Sequence, residues 1–391
     1  MKILYIHQYF KTPEEGGAIR SWHLASALAK EGHQVEMITA QNKERYEQKI
    51  INGVRVHYLP VPYRNDFGFI RRIFSFQRFA KLAFRQAKEF RDADLCYVTS
   101  TPLLAGLVAI ELKKKYGIPF FFEVRDLWPE APIQMGIIKN SFFKSTLYRL
   151  EKKLYRQAEK MIALSPGIRE GILKVAPDKE VALIPNMSDC HFFNPAEKHI
   201  SVLKKYGIGE NSFVISYTGS LGKANRLEFL LNIAEASQKE NLSLHFIIAG
   251  EGAQKEFLKD EIKGRSLKNV LMLEKGNKDL MKEILEASDA TYTSFDQIPI
   301  LETNSPNKFF DSLASGKLSI VNTKGWLKEL VEKNECGFYA DPLNPQEFLE
   351  KLKPFMEDKA LLKKYQQNAR RLAEREFSVD LLSKRFIQLF K

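Results

Sequence analysis

The chain has 391 residues, 44% of them hydrophobic, with 60 lysines and arginines against 48 aspartates and glutamates and a net charge of +12. This length and apolar content suit two ordinary domains with buried cores, and no apolar run approaches the roughly 20 residues needed to span a bilayer. Cys96, Cys190 and Cys336 are far apart and lack disulfide or zinc spacing; the charge suits phosphorylated ligands or an anionic membrane, since no zinc-finger or RNP-type run accompanies it.

The first apolar run, Lys2 to Ile6, is too short for a secretory signal and leads into His7-Gln8, so a cytosolic protein is expected. Further β-rich runs fall at 35–39, 54–59, 95–99, 119–124, 161–164 and 181–184, with amphipathic spacing at 22–30. The stretch from Ile184 to Pro195 is turn-rich and aperiodic, which marks a linker. Beyond it, runs at 213–218, 244–249, 270–273, 290–295, 318–321 and 337–339 alternate with helical patterns at 226–238, 280–287 and 327–333. Strands alternating with helices imply parallel sheets covered on both faces. The expected fold is therefore α/β, with two Rossmann-like domains facing across a cleft.

Several segments carry candidate chemistry. Gly16-Gly17 precedes the first helix, where a backbone without Cβ atoms and a helix N-terminus can approach a ligand closely, and Arg20 could meet a phosphate directly. The G-x-G-x-x-G dinucleotide spacing is absent. Next, the segment from Phe69 to Arg91 holds seven basic residues and one acid, Glu89, around an apolar stripe of Phe69, Ile73, Phe76, Ala80, Ala83, Ala87 and Phe90. Phe74, Phe79, Leu82 and Phe84 fall among the cations, a surface suited to an anionic leaflet or simply to solvent. A buried strand then delivers Arg125, Asp126 and Glu130 to its carboxyl end, the edge where open parallel sheets bind ligands. Asp126 could accept an acceptor hydroxyl's proton, Arg125 could neutralise a phosphate or orient Asp126, and Trp128 could stack on a sugar. The alternative is an Arg–Asp pair fixing a loop, with Trp128 in the core.

In the second half, Gly219, Gly222, Lys223 and Arg226 follow a strand and fit a diphosphate, or form a solvated cationic turn. Gly250-Glu251-Gly252 follows the next strand. The richest stretch is Asn304-Ser305-Pro306-Asn307-Lys308, leading into a helix with Asp311 one to two turns inside it. Asn304 or Ser305 can cap that helix, Pro306 suits its first turn, and its amides favour a phosphate. Asp311 could then hold a ribose hydroxyl pair, with Lys308 as a further phosphate partner. No Asp-x-Asp pair lies at a strand end, so no metal is expected.

These motifs resemble the nucleotide-sugar site of family 4 retaining glycosyltransferases of the GT-B fold. The serine-proline-asparagine-lysine run is most similar to the bacterial L-fucosamine and amino-sugar transferase branch. The family pairs two glutamates eight positions apart, where this chain has Thr303 and Asp311, with Glu302 one residue off. Arg125-Asp126 stands where many relatives have a histidine, and Ser220 and Asn225 replace the family's arginine and lysine, the nearby cations being Lys223 and Arg226.

The resemblance implies domains of 1–188 and 189–374, with a helix at 375–391 returning to the first. It implies catalytic roles for Asp126, Arg125 and Gly17. Donor contacts would come from Gly16, Gly17, Arg20, Gly219, Lys223, Arg226, Glu251, Asn304, Ser305, Pro306, Asn307, Lys308 and Asp311, with 275–280 beside the base; Trp128 and Glu130 would meet the acceptor. The implied reaction moves a sugar, plausibly N-acetylated and amino, from a UDP-sugar to a polyprenyl-diphosphate-linked acceptor at the inner membrane face, in O-antigen or capsule synthesis. No metal or other cofactor, and no nucleic acid, is expected. Alternatives are a UDP-sugar epimerase of the same fold and a non-catalytic nucleotide-sugar-binding homologue.

Overall fold

The computed structural model describes residues 1–391 except Ala18, Asn65, Asp66 and Glu197; the expected place of Phe69 in the apolar stripe also lies outside the described residues. Strands β1 (Lys2–Ile6), β2 (Gln34–Gln41), β3 (Glu47–Ile51), β4 (Val54–Pro60), β5 (Leu95–Thr99), β6 (Phe120–Val124), β7 (Lys160–Ala163) and β8 (Val181–Leu183) form one sheet, ordered β3-β4-β2-β1-β5-β6-β7-β8. Every pairing is parallel except the β3–β4 hairpin. A second, wholly parallel sheet comprises β9 (Phe213–Ser220), β10 (Leu244–Glu251), β11 (Val270–Leu273), β12 (Ala290–Thr293), β13 (Leu318–Val321) and β14 (Gly337–Tyr339), ordered β11-β10-β9-β12-β13-β14.

The central strands are continuous apolar runs because helices cover both faces: every residue of β5 and β6 is buried. Strand β3 was not expected. Its residues Glu47, Gln48 and Lys49 show no apolar alternation and lie at the open edge. The hairpin signal was nonetheless present in Asn52-Gly53, both at positive φ, as a tight turn between twisted strands requires.

Among the parallel strands of each sheet the order reverses once, between β1 and β5 and between β9 and β12. Crevices at the carboxyl ends of such strand pairs are where open α/β sheets place ligands. The two crevices meet through close contacts. Ser165 Oγ donates to the Thr303 carbonyl at 2.5 Å, Asn186 Nδ2 donates to the Ser305 carbonyl at 2.5 Å, and the Ile300 amide donates to Gln134 Oε1 at 3.1 Å.

The linker runs beside the returning chain. The Ser188 amide donates to Phe377 O at 2.8 Å and the Val379 amide to Ser188 O at 3.1 Å. The C-terminal helix Val379–Ile387 packs on the first sheet, with the Phe386 ring 5.1 Å from Tyr97 and the Phe390 ring 5.3 Å from Phe121.

Candidate active site

At the carboxyl end of β9, Gly219 adopts φ +138°, and a Cβ there would lie 3.2 Å from Lys308 Cε. Helix Asn307–Ala314 brings Lys308 to this point, with Phe309, Phe310 and Leu313 anchored in the core. Lys308 Nζ donates to Tyr217 Oη at 2.5 Å and to Asn225 Oδ1 at 3.3 Å, and sits 3.8 Å from the Tyr217 ring centroid. No carboxylate pairs with it among the described residues. Burial therefore pulls its pKa down to about 7. The result is a poorly solvated amine that titrates near neutral pH, backed by neutral groups beside a bare glycine backbone, an arrangement suited to an anion that would restore its charge.

Asp311 lies three residues on. Its carboxylate accepts no hydrogen bond among the described residues, and burial pushes its pKa up to about 7, against Lys278 and with help from Asp189. Lys278 itself is held by linker residue Asp189 at 2.5 Å. The folded-state pKa of Asp311 exceeds the unfolded value, so its penalty is absent below about pH 4 and complete above about pH 7. Asp311→Asn is expected to stabilise the ligand-free protein at pH 8 on the order of 1–2 kcal/mol, not at pH 4, while weakening nucleotide binding. Urea unfolding at the two pH values checks this; an equal effect at both would reject the burial argument.

The cap of this helix differs from expectation. Pro306 holds the N-cap position, with no side-chain cap. Ser305 turns to the linker, accepting from the Asn186 amide on Oγ at 3.3 Å, and the Asn304 carbonyl accepts from Trp326 Nε1 at 2.8 Å. Only the Ser305 hydroxyl is drawn off by the interdomain contact; the Asn304 bond is a main-chain contact within the second domain. Other expected donor residues lie on the surface around the same strand ends. Lys223 is exposed, Arg226 at φ +39° pairs with Asp296 at 2.8 Å, and Glu251 is exposed and paired with Lys255 at 3.3 Å. Gly16 and Gly17, at φ +65° and +90°, sit across from this half; a Cβ on Gly16 would lie 3.6 Å from Gly276 O.

The expectation that Arg20 meets a phosphate is corrected. Arg20 is buried, donating through Nε to Glu123 Oε2 at 2.9 Å and through a terminal nitrogen to Pro185 O at 2.5 Å. The same Glu123 oxygen accepts from Tyr97 Oη at 2.7 Å, and Arg125 Nε stands 3.6 Å from the other oxygen. Arg125 also donates to His7 Nε2 at 2.9 Å. That donation fixes the neutral tautomer of His7, whose Nδ1–H then donates to Thr99 Oγ1 at 2.7 Å. Burial, reinforced by Arg125, holds the imidazole pKa well below its usual value. His7 was visible only as the end of the first strand; its link to Arg125, 118 residues away, had no sequence signal.

Arg125 thus reaches the strand-carboxyl edge with one face bound to His7. Asp126 beside it accepts no hydrogen bond among the described residues, and burial raises its pKa against the pull of Arg125. Trp128 is half-buried, edge-on to Phe76 at 6.4 Å. Glu130 accepts from Gln134 at 2.8 Å and from the Tyr148 hydroxyl. The site therefore gathers Arg125, Asp126 and the Gly16-Gly17 loop on one side, and Gly219, Lys308 and Asp311 on the other.

Residues 15–187 match the glycosyl transferase 4-like domain and residues 201–372 the glycosyl transferases group 1 family. The chain is 21% identical over its whole length to an uncharacterized glycosyltransferase of Methanocaldococcus jannaschii, covering 98% of that protein. It is also 21% identical to the putative colanic acid biosynthesis glycosyl transferase WcaI of Escherichia coli, covering 99% of both. Among solved structures, HepE of Anabaena in complex with UDP and glucose superposes with a TM-score of 0.73 at 17% identity, covering 100% of this chain and 99% of that one. With both halves matched in order and the two parallel sheets arranged as in that structure, the chain belongs to the 4-like, group 1 glycosyltransferases of the GT-B fold.

Proposed function

We propose that this glycosyltransferase moves a sugar from a UDP-sugar to a lipid-linked saccharide, with retention at the anomeric carbon and without a metal ion. The observation that carries the donor reading is Lys308: a half-buried lysine with no carboxylate partner among the described residues, beside the bare backbone of Gly219 and three residues from Asp311, which accepts no hydrogen bond among them. A diphosphate satisfies the first group and a ribose hydroxyl pair the second. As the glycosidic bond breaks, negative charge grows on the departing diphosphate, and a preorganised cation in a dry site stabilises it. The complex of HepE with UDP and glucose supports uridine as the base, and the name of WcaI supports a role in polysaccharide synthesis. An N-acetylated amino sugar is the transferred group in this reading.

Arg125 and Asp126 serve the acceptor side. Asp126 receives the acceptor hydroxyl's proton or fixes that hydroxyl, and Arg125 bears on a phosphate there. Trp128 offers a sugar-stacking face. The lipid-linked acceptor would reach the enzyme at the inner face of the cytoplasmic membrane, where the basic helix Phe69–Ala87 makes contact.

A thermal-shift panel of nucleoside diphosphates and nucleotide sugars tests the donor. UDP and its N-acetylhexosamine derivatives are expected to raise the melting temperature by several degrees, well above ADP, GDP and UMP. A panel in which uridine diphosphates do no better than UMP would reject the diphosphate site.

A further inference from the structure

The charge of this protein is not spread over its surface. Three segments lie side by side on one face of the first sheet: 69–91, helix Gly106–Tyr116 and helix Ser141–Gln157. The first holds seven basic residues and one acid, the second three and one, the third five and one. Their net charge equals the +12 of the whole chain, so everything else is neutral on balance. Of the three acids, Glu151 is buried and Glu111 already pairs with Lys115. Arg78, Lys81, Arg85, Lys152, Lys153 and Arg156 are exposed, with no carboxylate partner among the described residues.

Apolar residues on the same layer are also sorted. The inner face of the first segment buries more than its spacing suggested, since Phe79, placed among the cations by sequence, is fully buried. Most of what remains outside is concentrated: Ile70 and Phe74 are 70% and 65% exposed, Leu107 37%, Ile137 45% and Phe142 81%, while Tyr148 and Tyr116, at 39% and 37% and each carrying a hydroxyl, lie farther along their helices. The first five lie just before or within the first two turns of these helices. Each helix leaves the carboxyl end of one parallel strand and runs back to the start of the next, so its first turns lie at the strand-carboxyl edge. That is the edge carrying Gly16-Gly17 and Arg125-Asp126. The exposed cations of 78–91 and 152–156 lie toward the opposite ends of the same helices. An open, almost wholly apolar hollow lined by Gly68, Ile70, Arg71 and Phe74 sits at the apolar edge.

We propose that the entire three-helix layer is the docking face for an anionic bilayer, seated with the cleft rim dipped into the lipid and the cationic ends on the headgroups. The inference rests on the membrane-linked reading given above and extends it from one helix to three, with a defined orientation. Charge complementarity selects the leaflet, and apolar side chains flanked by cations are the pattern of interfacial helices. The tilt would bring a lipid-linked acceptor to Arg125 and Asp126 without leaving the membrane.

The test uses the full-length protein and vesicles of phosphatidylethanolamine with phosphatidylglycerol, against neutral phosphatidylcholine. K152Q/K153Q/R156Q leaves 69–91 intact, and is expected to weaken sedimentation with anionic vesicles by at least about tenfold, while UDP binding is unchanged. Fluorophores on F74C and F142C are expected to be quenched by doxyl-labelled acyl chains, and one on K153C is not. Unchanged vesicle affinity in the triple variant would overturn the three-helix face while leaving the single-helix reading standing. Equal quenching at 74, 142 and 153 would overturn the orientation. If the parent chain ignores anionic vesicles, or binds single-stranded RNA in preference to them, the membrane reading fails as well.

Discussion

Replacing Glu123 by glutamine is expected to destabilise the folded protein by about 3–5 kcal/mol, because it removes one partner of a buried charge cluster and strands the others. Glu123 is fully buried, with Arg20 2.9 Å away and Arg125 3.6 Å away on its two oxygens. Glutamine can still accept from Tyr97, but two guanidinium groups then face each other with no counter-charge. Burial works against ionisation of Glu123, yet Arg20 and Arg125 together outweigh it and hold the carboxyl below its usual range. A carboxylate with a lowered folded pKa stabilises above its unfolded value, near 4.5, and loses that contribution as pH falls through the folded one. The gap in urea midpoint between parent and variant should therefore be full at pH 7 and shrink under strongly acid conditions. R20M/E123Q removes one stranded cation and is expected to recover part of the loss, with a coupling of at least about 1 kcal/mol. A cost below about 1 kcal/mol for E123Q alone would mean that water reaches the cluster.

The consequence of this cluster for the site is indirect. Arg125 is held from below by Glu123 and from the side by His7, so its reach toward the cleft is fixed before any ligand arrives. An arginine on a mobile loop would lose side-chain freedom on binding; one packed in this way has lost it already during folding. Arg20, which the sequence placed at a phosphate, instead joins Arg125 in keeping the buried Glu123 ionised.

How far the sequence reached depended on whether the deciding contact was local. Strands buried on both faces announce themselves as apolar runs, so β1, β5, β13 and β14 fall within the bounds read from the chain. An edge strand of Glu-Gln-Lys gives no such signal, and β3 was found only in three dimensions. The helix that carries Lys308 and Asp311 was legible, because helix placement follows from nearby residues. The cap was not: Ser305 is a normal capping residue, but its hydroxyl is taken by Asn186, 119 positions earlier, and Pro306 holds the N-cap position. Arg20 failed for the same reason, since its partner Glu123 is 103 residues away. Residue type and spacing cannot choose between a cleft and a core when the competitor lies on another strand.

Lys308 gives the sharpest test of the donor site. K308M is expected to weaken UDP binding about a hundredfold, since a hydrogen bond to a charged group contributes roughly 1.5–3 kcal/mol and each 1.4 kcal/mol is tenfold. Uridine, which lacks the diphosphate, should bind parent and variant alike. Protons provide an independent readout. Burial brings Lys308 to about 7, so much of it is neutral in the free protein at pH 8. A bound diphosphate restores its charge, and calorimetry at pH 8 in buffers of different ionisation enthalpy should register uptake of up to about one proton, absent in K308M. The free protein should move the other way. A lysine whose folded pKa lies below its unfolded value penalises folding fully at and below pH 7, with the penalty fading as pH rises toward about 10.5. K308M should therefore be the more stable protein at pH 6 while being the poorer binder. A residue kept only for packing would lower stability when replaced and leave proton uptake unchanged; that pair of results would remove Lys308 from the diphosphate site.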